Sequence, residues 1–241
     1  MFYQGLVSRL NGVDCPVYAV ESPSLTRRDL EVESLEQLVT RYLAIIRAKQ
    51  PHGPYRIGGY SFGGIVAYEL ASRLHAEGVP VKLVIFDSAN PVVSEQHRHS
   101  WSRRLAVAWQ RFAGDPLLLR LGRMVGRMAT RRADQRAHAV RTAALATAWR
   151  TGTLIKLEDR AFVLNELHQR TLHGYAPRVK IPDALLIKSS AEIEGTDLPA
   201  DYGWGAWVEH LDMISVPGNH FEVFSPAAVD TFVPGLQGYL S

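Results

Sequence analysis

A serine set between two glycines, Gly59-Tyr60-Ser61-Phe62-Gly63, is the segment of this chain best suited to covalent chemistry. A serine hydroxyl attacks a carbonyl only when a base takes its proton and a donor steadies the oxyanion that forms. Small residues on either side allow a turn tight enough to lift the hydroxyl clear of the backbone. Tyr55-Arg56-Ile57-Gly58 reads as a short apolar strand before that turn, and a helical pattern follows it to Ala76 with a stop at Gly78. Ser61 is therefore the expected nucleophile. The helix behind it would aim its N-terminal dipole at the reacting centre, which makes the backbone N–H of Phe62 the expected oxyanion donor.

The base should come from the same end of the sheet. Of 9 histidines, His220 alone follows a strand-like run (Met213 to Val216) through a Pro217-Gly218-Asn219 turn and precedes a C-terminal helix. An acid must then hold the imidazole in the right tautomer, and Asp87 closes the apolar run Val81 to Phe86 at the right place. Two rivals exist: Glu192, in the loop after the Ala184 to Lys188 run, and Asp212, which stands just before its strand and so at the wrong end. His97 and His99 would be a metal pair without a third ligand, so no metal site is expected.

These residues need a scaffold. Ser34-Leu35-Glu36-Gln37 has capping-box spacing, and Leu35, Leu38, Val39, Tyr42, Leu43 and Ile46 recur at helical intervals behind it. Strand-like runs at 55–60, 81–86, 184–188 and 213–216 alternate with helical segments, which implies a mostly parallel sheet with helices on both faces. Ser225-Pro226 pairs an N-cap residue with proline at the first helical position, so the chain should end in a helix spanning Phe232 to Tyr239. The region from about 92 to 176 carries Leu, Val, Trp and Met at helical intervals with Arg between them and no strand-like run. It is expected to be a helical lid inserted over the active edge of one domain spanning 1–241.

Composition narrows the setting. A chain of 241 residues, 46% hydrophobic and 21% charged, can bury one large core. The single cysteine, Cys15, cannot form an internal disulfide, and no stretch reads as a secretion signal or a membrane span, so a reducing, cytoplasmic setting is expected. Net charge is only +3, yet the stretch from about Val92 to Lys180 carries roughly three Lys or Arg for every Asp or Glu. Arg98, Arg103, Arg104, Arg111, Arg120, Arg123, Arg127, Arg131 and Arg132 either attract an acidic partner or form the wet faces of lid helices. Trp109, Leu117, Leu118, Leu119, Leu121, Met124, Val125, Met128, Leu145 and Trp149 either line a channel or pack the lid. No nucleic-acid recognition motif accompanies the charge.

Four segments together resemble the thioesterase domains of polyketide synthases and nonribosomal peptide synthetases: Gly58-Gly59-Tyr60-Ser61-Phe62-Gly63-Gly64, Ala67-Tyr68-Glu69-Leu70-Ala71, Leu83-Val84-Ile85-Phe86-Asp87 and Pro217-Gly218-Asn219-His220-Phe221. The resemblance implies an α/β-hydrolase fold and, with aromatic residues on both sides of the serine, an integrated chain-releasing domain. It places the acid after the strand that follows the nucleophile helix, which favours Asp87 over Glu192. It implies no cofactor. The implied substrate is an acyl or peptidyl chain on the phosphopantetheine arm of a carrier protein, released by hydrolysis or macrocyclisation. A carboxylic ester hydrolase and a noncatalytic carrier-binding module are the alternatives. Family members carry a further strand and a His-Pro-x-Gly-Gly-like loop, source of the second oxyanion N–H, ahead of a helix resembling Phe2 to Leu10, so the resemblance leads to the expectation that the first core strand is missing from this chain.

Overall fold

The computed structural model describes residues 3–10, 16–20, 33–93, 136–137, 139–145, 147–148, 151, 163–164, 166–168, 170–191 and 198–241. The chain divides into two compact units, one comprising 1–20, 33–98 and 172–241, the other 21–32 and 99–171. In the first unit the elements run α1 (Gln4–Val7), α2 (Leu35–Lys49), β1 (Tyr55–Tyr60), α3 (Phe62–Ala76), β2 (Val81–Phe86), β3 (Ile181–Ser189), β4 (Val208–Val216), a short 3-10 turn (His220–Glu222) and α4 (Pro226–Leu240).

The four strands form one parallel sheet in the order β1-β2-β3-β4. Successive side chains on a strand face opposite ways, and the core divides accordingly. Leu83, Ile85, Ala184 and Leu186 pack with α2 and α3 on one face, while Val84, Phe86, Leu185 and Ile187 pack with α1 and α4 on the other. Both faces being covered, β2 reads from Leu83 to Phe86 as an unbroken apolar run instead of alternating. Register then sets the working edge: Tyr60 lies beside Phe86, and Phe86 beside Ile187. The residues that follow these three, Ser61, Asp87 and Lys188 with Ser189, therefore emerge at the same end of the sheet.

Local signals hold where they are short-range. Ser34 Oγ accepts the Gln37 N–H and the Gln37 side chain accepts the Ser34 N–H, so the capping box starts α2 as expected. Ser225 caps α4, Pro226 is its first residue, and Ala228, Val229, Phe232, Val233, Leu236 and Leu240 form its buried stripe.

Two strands are longer than their apolar runs suggest. β3 begins at Ile181 and β4 at Val208, so Asp212 does not precede its strand but sits inside it, paired with Leu185 and exposed. The reason is position: β4 ends the sheet's strand order among the described residues, and its Glu209, His210 and Asp212 face solvent, which erases the apolar pattern. Val17, Tyr18 and Val20 are exposed and the segment 16–20 forms neither helix nor strand. In the second unit, residues 139–145 and 166–168 are helical and Val163 and Leu164 are buried. The nine lid arginines named above, and the apolar lid residues other than Leu145, lie outside the described residues. Among the described residues no helix is long and apolar enough to cross a membrane.

Candidate active site

β1 ends at Tyr60, and α3 begins at Phe62, so a single residue makes the turn between them. That residue is Ser61, held at φ 53° and ψ −124°, a conformation costly for any side chain and stable only where surroundings enforce it. Its N–H donates to the Phe86 carbonyl (3.0 Å) and its carbonyl accepts from the Gly64 N–H (2.9 Å). A Cβ on Gly59 would stand 1.9 Å from the Gly63 carbonyl oxygen, so glycine is obligatory there. A Cβ on Gly64 would meet the Ser88 Cβ at 2.5 Å, whereas one on Gly63 would find nothing within 4 Å. Close packing thus demands the glycine before the serine and the second glycine after it; the intervening Gly63, expected to be equally constrained, is not.

Asp87 follows β2 directly, again at positive φ (44°), with its N–H donating to the Ile187 carbonyl at 2.7 Å. Its carboxylate is wholly buried. A buried charge is tolerable only when its lone pairs are filled, and four donors fill these. Oδ1 accepts from the Ser189 N–H (2.7 Å) and the Tyr202 hydroxyl (3.2 Å); Oδ2 accepts from the Ser189 hydroxyl (3.1 Å) and from His220 Nδ1 (2.7 Å). Burial pushes this carboxyl's pKa up, but the hydrogen bond from His220, the Ser189 N–H and the imidazole's charge outweigh it and hold the group below the usual carboxylate range. The Tyr202 hydroxyl, raised to about 12 by burial and by Asp87's charge, stays protonated and keeps donating.

His220 opens the 3-10 turn that follows β4. Asn219 caps this turn through a second capping box with Glu222, and Gly218, at φ 98°, leaves space that a Cβ would take from the Glu222 side chain. From this platform the half-buried imidazole places Nε2 3.1 Å from Ser61 Oγ while Nδ1 faces Asp87. Since a carboxylate can only accept, Nδ1 carries the proton and Nε2 presents its lone pair to the hydroxyl. The arrangement can deprotonate Ser61, hold the proton and return it.

The residues anticipated from sequence therefore divide clearly. Ser61, His220 and Asp87 meet, and Phe62 occupies the first position of α3, where backbone N–H groups point out of the helix N-terminus. Asp212 is remote in β4. Glu192, His97 and His99 lie outside the described residues, among which no group of three or more His, Cys, Asp or Glu could hold a metal ion. Sequence reasoning missed Ser189 and Tyr202. Ser189 had a positional signal, as the last residue of the strand beside the one that ends at Asp87; Tyr202 had none. Two further contacts pin the acid's loop: Trp204 Nε1–H donates to the Ser88 carbonyl (2.6 Å) and the Asn90 N–H to the Tyr202 carbonyl (2.9 Å).

A family model described as thioesterase domain matches residues 1–234. Among curated proteins, the chain is 49% identical over 81 residues to the non-reducing polyketide synthase ntnG of Nectria sp, covering 33% of this chain and 4% of that protein. It is 48% identical over 71 residues to the nonribosomal peptide synthetase atqA of Aspergillus terreus, covering 29% of this chain and 7% of that protein. The chain thus spans a small fraction of these relatives. Among solved structures it superposes on the NocB thioesterase domain, in covalent complex with a fluorophosphonate nocardicin G analog, with a TM-score of 0.63 at 24% identity, covering 100% of this chain and 88% of that one.

Proposed function

The chain belongs to the thioesterase-domain family, and on that premise we propose that it releases a polyketide or peptide chain from a carrier protein through an acyl-Ser61 intermediate. Ser61 Oγ attacks the thioester carbonyl while His220 Nε2 takes its proton, and the Phe62 N–H donates to the oxyanion. Collapse breaks the C–S bond, and the pantetheine thiol leaves with the proton from His220. A second nucleophile then attacks the Ser61 ester, again losing its proton to His220; collapse breaks the acyl–Oγ bond, and His220 returns the proton to Ser61. Water gives a free acid; a hydroxyl or amine of the chain itself gives a macrolactone or macrolactam. Every proton and bond closes on Ser61, His220 and the reacting substrates, so the scheme calls for no cofactor.

The observation that carries this reading is the continuous contact Ser61 Oγ to His220 Nε2, His220 Nδ1 to Asp87 Oδ2, at 3.1 and 2.7 Å. Relatives in polyketide and peptide synthases support the carrier-bound substrate. The test is intact mass after exposure to a fluorophosphonate, with Ser61→Ala and His220→Ala in parallel, followed by turnover of an acyl-pantetheine thioester and of an aryl ester. One adduct that vanishes in Ser61→Ala and fades in His220→Ala, together with thioester turnover, is expected. Aryl ester turnover alone would instead make this an ester hydrolase. Carrier binding by folded, unlabelled protein would make it a binding module.

A further inference from the structure

Tyr60, one residue before the nucleophile, has a side chain the proposed chemistry leaves unused. Its ring lies over the His220 imidazole with centroids 4.8 Å apart and planes 21° from parallel. Its hydroxyl donates to the His220 backbone carbonyl at 2.8 Å. One side chain thus braces both the ring and the main chain of the same residue. The brace is itself supported: Phe224 meets Tyr60 edge-on at 5.5 Å and is in turn packed by Tyr3 at 5.0 Å and Phe86 at 5.2 Å.

We infer that Tyr60 is a positioning residue that fixes the plane of the His220 imidazole, and with it the direction in which Nε2 faces Ser61. The inference rests on the reading of His220 as Ser61's base. A hydrogen bond at Nδ1 restrains one atom of the ring but leaves its plane free to tilt about that contact, which swings Nε2 across the hydroxyl. A flat aromatic surface against one face removes that freedom, and the hydroxyl bond stops the backbone carrying the ring away. The same surface offers its negative face to the imidazolium formed when Ser61 gives up its proton. Burial, then the charge of Asp87, then Tyr3 push the Tyr60 phenol up to about 12, so the hydroxyl remains a donor throughout the working range.

The experiment is a double-mutant cycle: Tyr60→Phe and Tyr60→Leu, each in the native and the His220→Ala background, read as fluorophosphonate labelling rate and thioester turnover. With the ring kept, Tyr60→Phe should stay within about threefold of the native enzyme; Tyr60→Leu should lose roughly 10- to 100-fold in kcat, with KM within about twofold. In the His220→Ala background the same Tyr60→Leu change should alter the residual rate by less than about twofold, because there is no imidazole left to orient. An equal loss in both backgrounds, or no loss in the native one, overturns the inference while leaving the reaction scheme standing. A His220→Ala protein as fast as the native one removes the scheme and the inference with it. Should Tyr60→Leu fail to fold, proton NMR of the unaltered enzyme decides: the carbon-bound ring protons of His220, identified by their loss in His220→Ala, should lie upfield of those of the other histidines. Resonances at ordinary positions overturn the stacking.

Discussion

Asn in place of Asp87 is the sharpest probe of the proposed chemistry, because it keeps the shape of the side chain and changes what its atoms offer. The carboxylate receives four donors on two oxygens in a site closed to water. An amide has one oxygen and one NH2, and both orientations conflict with something. With the NH2 toward Ser189, it confronts a backbone N–H at 2.7 Å that cannot turn away, and the buried donor left unpaired costs about 1–3 kcal/mol. With the oxygen there instead, the NH2 faces His220 Nδ1, which must then accept. The imidazole proton moves to Nε2, and the base presents a donor to a hydroxyl it should deprotonate. The second orientation is cheaper, so the variant should fold and lose kcat by about 10⁴, or about 5.5 kcal/mol of transition-state stabilisation, as in the serine-protease precedent for this substitution. Turnover of an acyl N-acetylcysteamine thioester and the second-order rate of fluorophosphonate labelling both read it, with the exposed Asp212→Asn as a control expected to be unchanged. A folded Asp87→Asn protein within tenfold of the native rate would refute the assignment of Asp87 as the group that sets the His220 tautomer.

Three further outcomes follow from the same geometry. Tyr202→Phe removes the longest of the four donors to Asp87, 3.2 Å, so turnover should fall by no more than about tenfold, and urea unfolding should show about 1 kcal/mol of lost stability. Gly59→Ala should cost about 3 kcal/mol or more, because its Cβ overlaps the Gly63 carbonyl, whereas Gly63→Ala meets open space in a helix and should be neutral or stabilising by up to about 1 kcal/mol in the same unfolding assay. Asp87 is held below the ordinary carboxylate range, so the stability it contributes is complete above about pH 5, where the unfolded chain's carboxyl is almost fully ionised, and is lost as pH falls through the lower folded value. Urea midpoints measured against pH should therefore show the gap between native protein and Asp87→Asn constant above about pH 5 and shrinking below about pH 4.

The candidate site was unusually legible in the chain because its parts stand at junctions between elements. Ser61 sits where a strand pattern becomes a helix pattern, Asp87 where a buried run stops, His220 after a Pro-Gly-Asn turn. Such junctions are marked by glycine, proline and abrupt changes of period, which one-dimensional reading detects well. Strand lengths were less legible. The first half of β4 carries Glu209, His210 and Asp212 toward solvent, so a reader tracking apolar runs starts the strand too late and misplaces Asp212. The role of Gly63 was misjudged for a related reason: a motif records which residues recur, while only packing tells that the Cβ clashes occur at Gly59 and Gly64.

What the sequence determined by itself is short-range. The tight turn at Ser61 follows from backbone sterics over a few residues, and the starts of α2 and α4 follow from Ser34 with Gln37 and from Ser225 with Pro226. Only the tertiary structure decided which acid reaches the base and what holds that acid. His220 is 133 residues from Asp87 and 159 from Ser61, and the donors Ser189 and Tyr202 lie 102 and 115 residues beyond Asp87. These partners are chosen by the parallel register that aligns the strand ends and by the removal of water around the carboxylate. Both are sums over the whole sheet, so no local stretch of sequence contains them.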